Sequence, residues 1–484
     1  MGLNLALATA RSSLLATSSQ IAVSSRNVAG ASDAGYSRKI ASLVSQNGGV
    51  AVVVSRASDA ALYTRMLGAT SDLASRDALL KGLESLQQTV GDTTSTTSPA
   101  ARLTAFAAAL QSAANKPDDV ALARAALDKA RDLAGSLNQA AATVQAARND
   151  ADAEMSASVS RINDLLGQFD LANKAVIRGT ANGGDISDDL DARDRILAKL
   201  SEEVGIATVA REGGDIAIYT DSGVPLYERS PRSVTFTRTV DLSSGQTGAA
   251  VMIDGVPVTG TDSPMPLRSG RLAGLGELRD VAAPTFAAQL DAIAHALVTT
   301  FAETESGGTS LAGLFTNAGS ADLPATSPAA GLAAALRLNA AVDPQQGGDP
   351  TLLRDGGMNG AAYRANPAAS GSGAAYAGRL SALVSGLSAD QAFDAGAGLS
   401  TKATLANFAA GSVGWLQSQR KAASDAADQQ TTLLGRASDA LSNATGVNTD
   451  DETALTLQLE KSYTASAKLL SLINEMLTTL MNAV

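Results

Sequence analysis

Apolar residues recur every seven positions at both ends of the chain. Leu7, Leu14, Ile21 and Val28 form one row, and Leu3, Ala10, Thr17 and Ser24 form a second, offset by three or four. Two such rows make one a/d seam on a helix of about 25 residues, roughly 38 Å long. At the other end Tyr463, Leu470, Leu477 and Val484 repeat by seven, with Leu459, Ser466, Ile473 and Leu480 as the second row. This predicts another helix of about 30 residues that runs nearly to the last one. Both seams need cover. An intramolecular antiparallel pair would supply it, and so would packing against other subunits. Thr17, Ser24 and Ser466 are poor core residues, so the pair alone would be marginal and would draw stability from further neighbours.

Longer helical patterns lie inside these ends. Leu62, Met66, Leu73, Leu80, Leu83 and Val90 mark one, which stops at a Ser/Thr/Gly loop over 91–98 before Pro99 opens the next. Val120, Leu127, Leu137 and Val144 share a stripe with Ala123, Ala130, Ala134 and Ala141, whose small side chains let helices approach closely. Met155, Val159, Ile162, Leu166 and Phe169 extend the pattern, and 375–388 and 401–444 resume it. The middle differs. A short helix over 188–203 leads into strand signals at 204–210 and 216–220, around a loop at Glu212-Gly213-Gly214-Asp215. Val234–Val240 alternates, and Asp254-Gly255 sits between Val251–Ile253 and Val256–Val258 as a two-residue hairpin turn. A helix over 285–301 follows, and 306–374 is loop-like.

The expected fold is therefore mainly α with a β-rich insert, an elongated α+β molecule. Residues 1–40 plus 446–484 form a terminal coiled-coil domain, 41–184 plus 375–445 a helical stalk, and 185–374 an inserted α/β outer domain. Composition agrees. Only 8 Phe, 7 Tyr and 1 Trp occur in 484 residues, so the core is built from Ala, Leu and Val. A net charge of −11 argues against an extensive nucleic-acid-binding surface. The absence of Cys excludes disulfides, thiol nucleophiles and Cys-ligated zinc, and a single His excludes a two-His mechanism within one chain. No apolar run approaches the roughly 18 residues of a membrane span, and the longest clear one is Val50 to Val54. Residues 1–32 hold Arg11 and Arg26 but no acid, with many Ser and Thr. They lack the compact apolar core of a secretory signal, and share their composition with mitochondrial transit peptides.

Chemistry is sparse. His295 could act as a general base with Asp291 one turn before it, although a plain helix residue reads as well. Asp185, Asp188, Asp189, Asp191 and Asp194 lack the spacing of a calcium loop and suit the start of a helix. Gly396–Lys402 has no Gly-Lys pair, so it is not a phosphate loop. Gly274-Leu-Gly276 lacks a third glycine, and Gly371-Ser372-Gly373 lacks a strand-turn-helix setting. Trp415 reads as a core or interface anchor.

After the first helix, Asn27-Val-Ala-Gly-Ala-Ser-Asp-Ala-Gly35-Tyr36-Ser37-Arg38 resembles the turn of bacterial flagellar axial proteins. Gly30 stands for the usual second Asn, and Asp33-Ala34 for Thr-Pro. Four further stretches resemble the FlgK family, hook-associated protein 1. They are Asp189-Leu-Asp191-Ala-Arg193-Asp194, Ser269-Gly270-Arg-Leu272-Ala-Gly274-Leu, Ser310-Leu-Ala-Gly313-Leu-Phe315 and Gly446-Val447-Asn448-Thr-Asp450-Asp-Glu452, in family order. Residues 316–374 are shorter than in many relatives, which implies a reduced outer domain.

The resemblance implies a non-enzymatic structural subunit at the hook–filament junction, exported unfolded by the flagellar type III system without a cleaved signal. It would be extracellular, without cofactor, metal, nucleic acid or membrane span. Its implied partners are itself in a ring or tube, the hook protein, hook-associated protein 3 and an export chaperone for the C-terminal region. The expected assembly residues are Leu3, Leu7, Ala10, Leu14, Ile21, Asn27, Val28, Gly35, Tyr36 and Arg38, with Leu459, Tyr463, Leu470, Ile473, Leu477 and Leu480. Competing readings are hook-associated protein 3 or another axial component, an exported effector using the same route, and a coiled-coil chaperone or adhesin unrelated to flagella.

Overall fold

A computed structural model describes residues 2–46, 49–91, 95–305, 308–324, 329–368 and 372–482. Helix α1 (Gly2–Gly30) leads into an antiparallel hairpin of β1 (Lys39–Gln46) and β2 (Gly49–Arg56). Three helices follow: α2 (Ala60–Val90), α3 (Pro99–Asn115) and α4 (Val120–Asn182), a single helix of 63 residues. Each starts on a side-chain cap. Asp59, Ser98 and Asp119 accept from the first free backbone amides, and Pro99 occupies the first turn of α3, where no amide is needed. Gly183 ends α4 in the left-handed region, at φ 66°.

Helix α5 (Ser187–Glu203) then enters the β-rich segment. Strands β3 (Ile206–Ala210), β4 (Ile216–Thr220) and β5 (Pro225–Tyr227) form one antiparallel sheet in that order. A second sheet joins β6 (Val234–Thr235), β7 (Met252–Ile253) and β8 (Val256–Pro257). Asp254 and Gly255 both have positive φ, 46° and 81°, as a two-residue turn of this handedness requires. The expected strand over 234–240 is cut to two residues. Beyond Thr235 the backbone leaves the sheet, and the Thr239 amide donates to the buried Asp152 instead.

Helices α6 (Arg271–Glu277) and α7 (Ala283–Thr300) are joined by a π-helical turn over Leu278–Ala282. The stretch Arg271–Thr300 is long and apolar enough to cross a membrane by length and composition, although 61% of its apolar window is buried inside the protein. Small and polar residues interrupt it, so no run was evident in the sequence. Residues 303–368 are not wholly loop. They hold β9 (Glu303–Thr304), β10 (Ser310–Leu311), β11 (Phe315–Asn317), α8 (Leu332–Ala335), β12 (Leu336–Leu338) and α9 (Leu352–Asp355). Residues 306–307, 325–328 and 369–371 of the expected loop lie outside the described residues, as do 92–94 of the loop after α2. The chain closes with α10 (Gly378–Ser388), the hairpin of β13 (Asp390–Ala392) and β14 (Lys402–Thr404), α11 (Leu405–Thr445) and α12 (Thr449–Asn482).

Two long helix pairs organise the molecule. α2 runs beside α11, and α1 beside α12. One apolar cluster extends from Leu83, Phe106 and Leu127 through Ile218 and Phe286 to Leu416. The expected stalk and outer segment thus share a core. At its centre Phe106, Phe301 and Phe315 pack with ring centroids 5.3–5.7 Å apart. Trp415 lies flat on Phe286, as an anchor between α11 and α7. The expected boundary at 40/41 falls inside β1. The hairpin packs on α1, to which both of its strands turn one side.

Candidate assembly interface

The pairing of α1 and α12 is antiparallel. Ser24, near the end of α1, meets Glu452 and Thr456 at the start of α12, while Ala10 and Ser13 line a groove with Ser466 and Leu469 further along. On α12 the expected seam faces α1: Leu459, Leu470, Ile473 and Leu477 are all half-buried, and Tyr463 lies at the margin, 38% exposed. On α1, Leu7, Ala10, Leu14 and Ile21 are half-buried, but Val28 is 42% exposed. The side chains of Leu3 and Leu480, and all of Val484, lie outside the described residues.

The best-buried residues of α1 are Ala16, Thr17, Val23, Ser24 and Asn27. Heptads mark only the side toward α12. Ala16, Gln20, Val23 and Asn27 share a second face, spaced by three and four, which the hairpin covers. On that face Gln20 Nε2 donates to Ala41 O at 3.3 Å and Asn27 Nδ2 to Lys39 O at 2.8 Å. Thr17 and Ser24 are tolerated inside because their hydroxyls are satisfied. Thr17 donates to Ser13 O at 2.9 Å, and Ser24 donates to the Glu452 carboxylate at 2.6 Å.

Where α1 ends, three stretches singled out in the sequence meet. Asn27 Oδ1 accepts from Tyr36 OH at 2.9 Å and from the Lys39 amide at 2.8 Å, which folds the turn back on the helix. Gly30 lets the Tyr36 ring lie against the helix end, since a Cβ there would fall 2.6 Å from it. The next segment, around α5, supplies carboxylates. Lys39 Nζ, fully buried and 4.6 Å from the Tyr36 ring centroid, donates to Asp191 and, at 3.1 Å, to Ser187 O. Arg56 bridges Asp191 at 3.0 Å and Asp194 at 2.6 Å. Arg193 points the other way, donating to Asn173 Oδ1 and Gly214 O, and so ties α5 to α4 and the β3–β4 turn.

The third stretch supplies Glu452. Its carboxylate accepts from Ser24 and, at 2.7 Å, from Arg38 Nε, while the Arg38 amide donates to Thr445 O at the end of α11. Burial pushes the Glu452 carboxyl up, but the hydrogen bonds from Ser24 and Arg38 outweigh it and hold the group below the usual glutamate value. Burial pushes the Tyr36 hydroxyl up to about 12 against the pull of Arg26. It also raises Asp194, despite Arg56 beside it.

The sequence reading named Asn27, Gly35, Tyr36 and Arg38 as assembly residues; the structure places Asn27, Tyr36 and Arg38 in contacts within the chain, beside Lys39, Arg56, Asp191 and Glu452, which that reading did not name for assembly. Periodicity is blind to buried charge. The available signal was that each of the three stretches carries ionisable residues of opposite sign to another.

The suspected chemistry does not assemble. Asp291 turns away from His295 and accepts from the Gly331 and Ala333 amides, each at 2.8 Å. Burial still raises the Asp291 carboxyl and lowers the His295 imidazole. Of the acidic run, Asp185 and Asp188 pair with Arg26, and Asp191 and Asp194 with Lys39 and Arg56.

α12 carries more apolar surface than α1 covers. Leu455, Ser462, Leu469 and Met476 form a further row spaced by seven, and Gln458, Ala465, Leu472 and Thr479 its companion. At 100° per residue this second seam lies about a third of a turn from the first. Leu469, Leu472 and Met476 are 56%, 55% and 51% exposed, and on α1 Leu5 and Leu15 are exposed as well. A helix with two such seams fits a bundle of at least three helices.

Comparison with known proteins gives likenesses of two kinds. Residues 83–321 match the model of the flagellar hook-associated protein FlgK helical domain. Among solved structures, the flagellar hook junction protein FlgK from Burkholderia pseudomallei is similar at 22% identity and a TM-score of 0.43, over 52% of this chain. The likeness spans 46% of the Burkholderia chain, under half its length. No curated protein matches. The matched helical domain reaches from α2 past β11 and contains Asp191 and Asp194, the carboxylates at the junction of the termini. Residues 83–321, just under half of the chain, carry the helical domain of the flagellar hook-associated protein FlgK.

Proposed function

We propose that this chain is a structural, non-catalytic subunit of the bacterial flagellum at the hook–filament junction, which polymerises through α1 and α12. The observation that carries this reading is the uncovered second seam of α12, Leu469, Leu472 and Met476. An isolated antiparallel pair leaves that surface in water, whereas helices of neighbouring subunits would bury it, at about 25 cal/mol per Å². The match of 83–321 to the FlgK helical domain supports the hook-associated role, and the absence of Cys suits passage as an unfolded chain through the type III export channel. The hook protein and hook-associated protein 3 are the proposed neighbours along the axis, with an export chaperone holding the C-terminal region before passage. The division into terminal domain, stalk and reduced outer domain belongs to the same reading, with the hairpin 39–56 assigned to the terminal domain because it packs on α1.

The test substitutes the outer seam. Leu469→Asp with Met476→Asp should leave the free chain folded, with unchanged circular dichroism, and abolish incorporation into flagella and motility. Normal filaments and swimming in that variant would contradict the proposal.

A further inference from the structure

Both inner seams repeat by seven and are built from residues that pack much alike. Leu7, Leu14 and Ile21 stand on one side, and Leu459, Leu470, Ile473 and Leu477 on the other, with Ala10 and Ser466 between. A slide of α12 by seven residues along α1, about 10.5 Å, keeps both seam rows facing α1: Leu477 takes the place of Leu470, Leu470 of Tyr463, Ile473 of Ser466 and Ser466 of Leu459. Half-exposed packing discriminates weakly between the two registers. The connection from α11 favours one direction. Gly446–Asn448 is short, but unwinding the first two turns of α12 lengthens it and brings Leu459 to the place of Glu452.

What that slide loses is concentrated at one residue. Glu452 is 1% exposed and is the buried side chain of α12 among the described residues. It joins Ser24 on α1 to Arg38 on the turn, and Arg38 is itself held through its amide to Thr445. In the slid pair a leucine faces Ser24 and Arg38; Arg38 loses its carboxylate acceptor, and Ser24 keeps only a backbone carbonyl like the Glu452 O it also meets at 3.1 Å. A single buried polar group in an otherwise permissive seam is the recognised means by which helix pairs fix their register.

We propose that Glu452 is the register key of the terminal pair, a positioning residue whose carboxylate, clasped by Ser24 and Arg38, decides which residues of α12 face which residues of α1. The register sets where Leu469, Leu472 and Met476 emerge relative to α1. That consequence rests on the assembly reading, while the register itself does not.

The chain has no Cys, so introduced pairs report cleanly. In the full-length free chain, Ser13→Cys with Ser466→Cys reports the observed register, because the antiparallel pairing of Ser24 with Glu452 and Thr456 sets Ser13 opposite Ser466, while Ile473 lies one heptad further along the groove. Ser13→Cys with Ile473→Cys reports the slide. Oxidation should favour the first link strongly in the parent. With Glu452→Leu the ratio of second to first link should rise roughly tenfold or more, the scale of losing charge-assisted hydrogen bonds. Glu452→Gln, which keeps an acceptor for Ser24, should fall between. Arg38→Gln leaves the sequence of α12 intact and should raise the ratio by itself, which covers the case that Glu452→Leu unwinds the helix. Unchanged ratios in Glu452→Leu and Arg38→Gln would overturn the proposal. So would loss of both links in both variants without gain of the second, since Glu452 would then hold the pair together without choosing its register. The links form in the free chain, so this result stands apart from the outer-seam test of assembly.

Discussion

Helices α4 and α12 are both amphipathic, yet they end in different circumstances. α4 buries an apolar side chain on nearly every turn from Ala123 to Val176, because α2, α3, α5, α6 and α7 all pack around it. α12 has α1 as its main neighbour, and its seam is half-buried throughout, with Glu452 as its one buried described side chain. Sequence periodicity of the same kind therefore produces a completed core in one place and an incomplete one in the other. The difference lies in how many faces are apolar against how many neighbours the chain supplies. α12 has two seams and cover for one.

The comparison can be broken most directly in the body. Phe106→Ala removes a fully buried ring from the aromatic cluster and should cost about 3–5 kcal/mol, read as a fall in the denaturant midpoint of the cooperative transition. If Leu470→Ala on α12 cost as much, the terminal pair would be a core like any other. It should cost about 1 kcal/mol or less, since that side chain is already half in water.

The junction between the two regions should behave like the body. Lys39→Met leaves Asp191 buried with Arg56 as its remaining cation, and should cost about 3 kcal/mol by the same measurement.

Acid should sharpen the contrast. The folded Glu452 carboxyl lies below the usual glutamate value, so its stabilisation is complete above the ordinary carboxylate range and is lost as pH falls through the folded value. Between neutral pH and about pH 3, amide protection relative to the intrinsic exchange rate should fall more in α12 than in α3 or the centre of α4. Glu452→Gln should remove that difference.

Much of this was legible. The heptads placed both terminal helices, Pro99 and Asp254-Gly255 placed a helix start and a turn, and the order of five short stretches carried the family. The hairpin 39–56 was not legible, although Val50–Val54 stood out as an apolar run. Its partner strand, Lys39–Gln46, mixes Ser with Ile, Leu and Val and has no periodicity of its own strong enough to stand against a helix. Missing the hairpin meant missing the second covered face of α1, and so Val28 was expected inside and Ala16 and Val23 were not. Thr17 and Ser24 were marked as weak points because a heptad scores polarity alone. The structure satisfies them with partners in α1 itself and 428 residues away, respectively. Long-range pairing of that kind leaves no local trace.

Hydrogen exchange on the free full-length chain at neutral pH tests the central claim most directly. The account predicts fast exchange in α12 beyond Leu459 and in the first half of α1, with protection rising toward Ser24 and Glu452 and strongest in α3, α7 and the centre of α4. Protection of both termini equal to that of α4, in a chain that stays monomeric, would show that the terminal pair is complete by itself and would contradict the account.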